Sequence, residues 1–346
     1  VINVHTPGYA RQTPTFDNSP FNPEFGQAGG VLPGKPISSR HKYAEEAVRA
    51  AIGDSSRENQ FAADLAPVEK AFDLNSASSV PSALSKFFNS FSQLSVNPND
   101  RLLRQQVINS AQSLTQTVNG SARELSLAAN RADKQLIDAV DAVNSRIAKL
   151  KELNVFRRSN PVAAGDAGME GQSYAILEEL SEYVDVMPVA NDDGTVSLYL
   201  EGLTPLLVGS NQYELEADIT NSGSKVLDAS GRDMTSELTN GKVAALLEQK
   251  NTILPSYTAE LNTFAQGLAD AVNTKLAAGL DRNGNAPVTP LFTYNTTVGA
   301  AFTLGVSNLQ PDDSAAASAT APGGNANALD LAGLARNEGQ QEQFEQ

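Results

Sequence analysis

Residues 29–35 (GGVLPGK) have the spacing of a phosphate-binding loop, in which backbone N–H groups and a lysine hold the phosphates of a nucleotide. Three features argue against this chemistry. The next residue is Pro36, where such a loop carries the serine or threonine hydroxyl that binds Mg²⁺. No apolar strand precedes the stretch, and Pro33 removes one backbone donor. We therefore interpret the stretch as a loop without a nucleotide.

The carboxylates and histidines offer no better site. Residues 281–285 (DRNGN) begin like a calcium-binding loop, but the glycine comes too early and the bidentate glutamate is missing, which favours an Asn-Gly turn. Glu178, Glu179 and Glu182 could form an acid–base pair, yet their spacing beside leucines is typical of a solvated helix face. The chain has 2 His and 0 Cys, which excludes histidine-rich and thiolate metal sites. The sequence predicts no catalytic residue, no metal and no cofactor.

The composition argues against nucleic acid and membrane partners. The formal net charge is −15, which repels nucleic acids and anionic lipid surfaces. No apolar run approaches the roughly 18 residues that a membrane-spanning helix needs. The 346 residues, 40% of them hydrophobic, suffice for two or three folded domains. Because the chain starts at Val1 and ends in the polar run 338–346, we interpret both ends as cut from a longer protein.

The elements that must organise this chain are long helices, above all residues 102–153, which we expect to be helical with a break near Gly120. Apolar residues recur there at steps of 3 and 4, with charges on the opposite face. Such a narrow apolar stripe is typical of a helix that packs on one other helix, as in a coiled coil. The segment could reach roughly 75 Å, and this length favours a rod-like protein over the alternative of a surface helix on a globular domain. Residues 257–272 repeat the spacing, and we expect them to pack antiparallel on the stripe 125–150. The predicted helical seam comprises Leu125, Leu136, Val140, Val143, Ile147, Leu150, Leu261, Phe264 and Leu268.

Further elements are predicted on both sides of this helix. Helices are expected at 42–72, at 82–94 and at 236–278, the last divided by Pro255. The period changes to two between 184 and 232, where residues 191–194 (NDDG) are typical of a hairpin turn. Strand character is also expected within 291–306, and a loop is expected at 154–171.

These elements predict a multidomain α+β protein. We expect an elongated antiparallel α-helical bundle or rod with an inserted small β-rich domain. The expected divisions are a loop-rich segment at 1–40, the first part of the rod at 41–171, the β-rich insertion at 172–235, the return helix at 236–280, and a loop and strand segment at 281–346.

One further sequence pattern resembles that of a particular protein family. Residues 3–12 (NVHTPGYARQ) closely resemble the Asn-x-x-Thr-Pro-Gly-Tyr-x-Arg-Gln signature near the N-terminus of bacterial flagellar rod, hook and hook-associated proteins. Residues 87–107, 254–284 and 325–332 resemble, in order, later regions of the hook-associated protein 1 family. Two departures are His5, where the family usually has Asn, and residues 171–177 (GQSYAIL), where it usually carries Asp-Gln-Arg-Asp. The residues that carry the signature are Asn3, Thr6, Pro7, Gly8, Tyr9, Arg11 and Gln12.

The resemblance implies a non-enzymatic structural protein of the bacterial flagellum. Members of this family form a ring at the hook–filament junction and connect the hook to the flagellin filament after export through the flagellar type III system. The resemblance therefore implies an extracellular location, terminal axial helices that are trimmed here, and four partners: the hook protein, hook-associated protein 3 as the second junction protein, copies of the chain itself, and an export chaperone. Two alternatives stay open. One is another axial protein, such as hook-associated protein 3 or a flagellin-like chain, and the other is an exported adhesin that binds through its β-rich insertion.

Overall fold

The computed structural model describes residues 8, 10–19, 29–34, 36–73, 76, 78–160, 166–220, 223–321 and 323–334. The chain divides into two compact units, each built from two stretches that are distant in sequence. The β-rich unit comprises 1–63 and 131–252, and the helical unit comprises 64–130 and 253–346. The division into five segments that the sequence predicts stays a prediction.

Eight α-helices lie within the described residues. They are α1 (Lys42–Phe72), α2 (Val80–Val96), α3 (Arg101–Ser159), α4 (Ala167–Ser181), α5 (Gly241–Glu248), α6 (Leu254–Ala277), α7 (Ala300–Thr303) and α8 (Ala326–Gly333). A π-helix of 5 residues, Gln249–Ile253, lies between α5 and α6. The prediction of helices with an inserted β-rich region is confirmed.

α3 is one helix of 59 residues, so the predicted break near Gly120 is wrong. A glycine costs a helix about 1 kcal/mol relative to alanine but adopts helical dihedral angles freely, and the residues on either side outweigh that cost. The loop predicted at 154–171 is also too long, because α3 continues to Ser159 and α4 begins at Ala167. Tertiary contacts hold the last turns of α3, since the amide of Asn154 donates to the carbonyl oxygens of Val196 (2.8 Å) and Gly209 (2.9 Å).

The other helices follow the sequence closely. α1 has the predicted bounds and contains Pro67. α2 extends the prediction by two residues at each end, and its N-cap Ser79 accepts a hydrogen bond from the backbone N–H of Ser82. The helix predicted at 236–278 begins only at Gly241, after its N-cap Asn240, and is interrupted by the π-helix. Pro255 lies in the first turn of α6.

The strands pair only in antiparallel ladders within the described residues. They are β1 (Gln12–Thr13), β2 (Phe16–Ser19), β3 (Gly30–Pro33), β4 (Ile37–Ser38), β5 (Val186–Ala190), β6 (Val196–Leu200), β7 (Pro205–Val208), β8 (Asn211–Gln212), β9 (Glu216–Thr220), β10 (Gly223–Leu227), β11 (Gly279–Leu280), β12 (Phe292–Thr293), β13 (Gly305–Val306) and β14 (Ala317–Ser318). β5–β6–β7–β8 form a four-stranded sheet, and the other strands pair in twos. The hairpin predicted at 191–194 is confirmed, because it joins β5 to β6 with Gly194 at φ +80°. The region 291–306 contributes β12 and β13, with α7 between them.

Each unit has its own apolar core. In the helical unit, three aromatic rings of α2 and β12 cluster, with the Phe87 centroid 5.3 Å from that of Phe91 and 5.4 Å from that of Phe292. In the β-rich unit, the buried apolar residues of α3 between Ala132 and Leu150 pack with α4 and with buried residues of β6 and β7, among them Leu198 and Leu207.

The predicted seam is buried but is divided between these two cores. Leu125, Leu261 and Leu268 belong to the core of the helical unit, and Phe264 packs against it. The other five seam residues belong to the core of the β-rich unit: Leu136, Val140, Val143, Ile147 and Leu150. Residues 257–272 therefore share a core with Leu125, at the start of the stripe 125–150, and not with the five residues from Leu136 to Leu150. The periodicity identifies the buried face of a helix but does not say which element covers it.

Candidate functional site

The signature residues are the candidate functional site, because the sequence predicts no catalytic residue. Within the described ranges, no group of three or more His, Asp or Glu residues could hold a metal ion. No described helix is long and apolar enough to cross a membrane. Of the signature, the structure describes Gly8, Arg11 and Gln12. The remaining signature residues lie outside the described part: Asn3, Thr6, Pro7 and Tyr9.

Gly8 lies directly against the first turns of α4. Its φ is +68°, which is left-handed backbone that favours glycine. A Cβ on Gly8 would overlap the carbonyl oxygen of Gly171, and a Cβ on Gly171 would lie 2.6 Å from the carbonyl oxygen of Gly8. Both positions therefore require glycine, because the two backbones approach too closely for a side chain.

Arg40 fixes the Gly8 turn to the two neighbouring helices. Its Nη2 donates to the carbonyl oxygen of Gly8 at 2.6 Å, and its Nη1 donates to Oε1 of Glu45, in the first turn of α1, at 2.6 Å. The guanidinium also lies over the ring of Tyr174 on α4, 4.1 Å from the centroid. The side chain of Arg40 is only 7% exposed, so these contacts are shielded from competing water. We call Gly8, Arg40, Glu45, Gly171 and Tyr174 the turn anchor.

The electrostatics of the turn anchor follow from its burial. Burial raises the pKa of the Tyr174 phenol, and the charges of Glu170 and Glu45 raise it further. Burial also raises the pKa of Glu178, on the next turn of α4. The tyrosine therefore acts as a neutral ring for the cation above it, and it is not a candidate acid or nucleophile at neutral pH.

A cavity of about 430 Å³ adjoins the turn anchor, and its lining includes Arg49, Arg157, Glu170 and Leu177. Arg157 is 4% exposed, and its Nη1 donates to the carbonyl oxygen of Gly194 at 3.0 Å, while its Nε has no hydrogen-bond partner. Burial is the main reason that the pKa of Arg157 is lowered. Acidic side chains line the same cavity, so its charges are of both signs. Among the lining residues that the structure describes, no nucleophile is paired with a base.

Residues 29–35, which resemble a phosphate-binding loop, contain a strand, and residues 281–285, which resemble a calcium-binding loop, form a turn. Residues 30–33 form β3, paired with β2, and the N–H of Gly34 donates to the carbonyl oxygen of Thr15. Asp281 accepts hydrogen bonds from the N–H groups of Asn283 (2.7 Å) and Asn285 (2.8 Å), as in an Asx turn. The turn predicted at 281–285 is present, with Gly284 at φ +81°, whereas the loop expected at 29–35 contains a strand.

Comparison with known proteins identifies the chain's family. A family model described as "Flagellar hook-associated protein FlgK helical domain" matches residues 65–292, well over half of the 346 residues. The chain belongs to the FlgK helical-domain family. The matched range covers α2 through α6 and β5 through β11, together with the greater part of the apolar cores of both units.

Individual relatives agree with this family. The chain is 25% identical over 323 residues to "Flagellar hook-associated protein 1" of Bacillus subtilis (strain 168), a match that covers 82% of this chain and 64% of the relative. It is 24% identical to the protein of that name from Escherichia coli (strain K12), over 83% of this chain and 54% of the relative. The solved flagellar hook junction protein FlgK from Burkholderia pseudomallei matches with a TM-score of 0.63 and 22% identity, over 72% of this chain and 47% of that chain, which supports the fold. The chain thus spans between about half and two thirds of the length of these relatives.

Sequence reasoning missed most of the turn anchor. Gly8 belongs to the signature, but nothing in the local pattern singles out Arg40 or Tyr174, because an isolated arginine before a helix and an isolated tyrosine inside one are common. Their roles depend on α1 and α4 lying side by side, which no local pattern encodes.

Proposed function

We propose that this chain is part of a structural adaptor at the hook–filament junction of the bacterial flagellum. The observation that carries the proposal is the family match over residues 65–292, since that range supplies the greater part of both apolar cores. The relatives from Bacillus subtilis and Escherichia coli are both named as flagellar hook-associated protein 1, which supports the same role.

The mechanism we propose is geometric and not chemical. A junction has to match hook subunits on one side and flagellin on the other, and this requires a stiff scaffold that holds its surfaces in place. The apolar core of each unit would supply stiffness within that unit, because close-packed protein interiors have low compressibility. The turn anchor would hold the signature residue Gly8 in a fixed position against α4.

The partners we propose are the hook protein, hook-associated protein 3, further copies of the chain, and an export chaperone. We also propose export through the flagellar type III system and an extracellular location in the flagellum. We propose a structural and not an enzymatic role, because the matching relatives are named as flagellar hook-associated proteins.

Gene deletion with complementation tests this proposal. Deleting the gene in its source bacterium should give non-motile cells that keep intact hooks and lose flagellin into the medium. The wild-type gene should restore swimming. The Leu136→Asp variant should not restore it, whereas the Leu127→Asp variant should, because Leu136 is buried in the β-rich core and Leu127 is 49% exposed on the same helix. Deletion cells that swim with normal filaments would refute the junction role and would favour an adhesin, to be tested by surface binding of residues 172–235.

A further inference from the structure

Asn-Gly pairs occur three times in this chain, and each lies in a different structural setting. They are residues 119–120, 240–241 and 283–284. An asparagine that precedes a glycine can lose its side-chain amide, because the backbone nitrogen of the glycine can attack the side-chain carbonyl carbon and close a five-membered ring. Glycine has no side chain that hinders this ring closure. Whether the ring closes at a given pair therefore depends on how firmly the folded protein holds the backbone there.

The first pair is held inside a helix. Asn119 and Gly120 lie within α3, and Nδ2 of Asn119 donates to the carbonyl oxygen of Leu304 at 3.1 Å. Ring closure needs backbone dihedral angles that differ from those of an α-helix, so part of α3 must unfold before the reaction can start. Such openings are rare in a packed helix, and the fold therefore protects this pair.

The second pair is held by side-chain and backbone contacts. Asn240 is the N-cap of α5, where its Oδ1 accepts a hydrogen bond from the N–H of Gly241 at 2.8 Å and its Nδ2 donates to Oδ1 of Asp54 at 2.8 Å. Gly241 is buried, and a Cβ on it would overlap the backbone of Tyr183. Ring closure has to rotate the peptide group between Asn240 and Gly241, and close packing leaves little room for that rotation.

The third pair lies in the exposed turn that follows β11. Asn283 and Gly284 are both exposed, and a Cβ on Gly284 would meet nothing within 4 Å. The backbone N–H of Asn283 donates to Oδ1 of Asp281, whereas its side-chain amide has no hydrogen-bond partner among the described residues. The nitrogen that would attack, that of Gly284, donates to the carbonyl oxygen of Asp281 at 3.2 Å, which is a long hydrogen bond in a turn open to water. This pair is therefore the least restrained of the three.

We propose that Asn283 is a site of spontaneous covalent modification. The backbone nitrogen of Gly284 loses its proton to water and bonds to Cγ of Asn283, and the side-chain nitrogen takes up a proton and leaves as ammonia. Water then adds to either carbonyl group of the ring and opens it. The product is aspartate or, where the main chain now runs through the former side chain, isoaspartate. Both products carry a carboxylate in place of a neutral amide.

The position of this site gives the modification a structural consequence. Two hydrogen bonds close the turn: the N–H of Asp281 donates to the carbonyl oxygen of Asn285, and the N–H of Asn285 donates to Oδ1 of Asp281, both at 2.8 Å. Isoaspartate adds a methylene group to the main chain between these two residues, so both bonds cannot keep their geometry. The new carboxylate also lies near that of Asp281, which is only 9% exposed, and the two like charges repel each other.

Timed incubation of the purified chain tests this proposal. Wild type and the N283Q variant are kept folded at mildly alkaline pH and physiological temperature, and samples are digested at intervals. Mass spectrometry then measures aspartate and isoaspartate at each of the three Asn-Gly pairs. A parallel incubation in concentrated urea gives the rate of each pair without the fold. N283Q is the matched control, because the longer glutamine side chain would have to close a six-membered ring, which forms far more slowly.

The expected result for the folded chain is conversion of Asn283 about tenfold faster, or more, than that of Asn119 and Asn240, with similar rates at all three pairs in urea. Native isoelectric focusing should show an acidic form that accumulates in wild type and much more slowly in N283Q. If folded wild type converts Asn283 no faster than Asn119 or Asn240, or if N283Q becomes acidic as fast as wild type, the proposal is overturned. The measurement does not involve motility, so either outcome leaves the proposed junction role unaffected.

Discussion

The turn anchor makes an unusual prediction about glycine substitutions in helices. Gly120, Gly171 and Gly267 all lie inside α-helices, where alanine is normally better by about 0.5–1 kcal/mol. A Cβ on Gly120 or Gly267 meets nothing within 4 Å, so these two substitutions should stabilise the protein. The Cβ of Gly171→Ala would lie 2.6 Å from the carbonyl oxygen of Gly8, closer than real Cβ contacts allow.

The magnitude follows from what that oxygen binds. It accepts the 2.6 Å hydrogen bond from Arg40, and a hydrogen bond to a charged group contributes about 1.5–3 kcal/mol. Displacing the Gly8 turn weakens this bond, and the loss outweighs the helix gain. We therefore expect Gly171→Ala to destabilise the turn anchor by about 1–2 kcal/mol, opposite in sign to the effects at Gly120 and Gly267.

Two measurements check this sign difference. Calorimetric melting should show G120A and G267A unfolding at higher temperature than wild type and G171A at an equal or lower one. Tryptic cleavage after Arg11, followed by mass spectrometry under native conditions, should be faster in G171A alone, because the released turn exposes that bond. If G171A melts as high as G267A and is cut no faster than wild type, the close approach of Gly8 to α4 does not exist in solution.

Three further predictions concern the β-rich unit and α3. Leu136→Asp should lower the free energy of unfolding by several kcal/mol, since it buries a charge without a partner, whereas Leu127→Asp should change it by less than about 0.5 kcal/mol. Urea unfolding of the two variants compares these effects. Similar unfolding midpoints would contradict the burial of Leu136. Asn154→Leu should lower the free energy of unfolding by about 3 kcal/mol or more, because two carbonyl oxygens and one backbone N–H lose their hydrogen-bond partner. The substitution Asn109→Ala, at an exposed position of the same helix, should lower it little. Hydrogen exchange of the β6 amides measures the difference, and unchanged protection in N154L would refute the prediction. Hydrogen bonds within its turn lower the pKa of Asp228 from 3.8 to about 2. The contribution of this carboxylate to stability is therefore present above pH 4 and is lost as the pH falls through 2. An NMR titration of the carboxyl carbon should give a midpoint near 2, and a midpoint near 4 would contradict the hydrogen-bonded turn.

Periodic patterns predicted much of the secondary structure, and the reason differs between elements. The apolar spacing in α1 predicted where the helix begins and ends, because the spacing of 3 and 4 residues continues on both sides of Pro67. The end of α3 was predicted several residues early, since its last turns carry no strong stripe and are held by contacts of Asn154 with the sheet. The π-helix before Pro255 has no local signature either, and Lys250 in it instead donates to Asp133 of α3 at 2.6 Å.

The sequence by itself determined the helical periods, the hairpin at 191–194 and the family to which the chain belongs. These features are local or are read by direct comparison, so they do not require knowledge of which elements meet. Only the tertiary structure decided that the α3 stripe serves two cores, with Leu125 in one and Leu136 in the other. It also decided that Arg40 joins Gly8 to Tyr174, because residues distant in sequence become neighbours only when the helices pack. A helical period fixes which side chains face inward, and the partner that they meet is set by the packing of the whole unit.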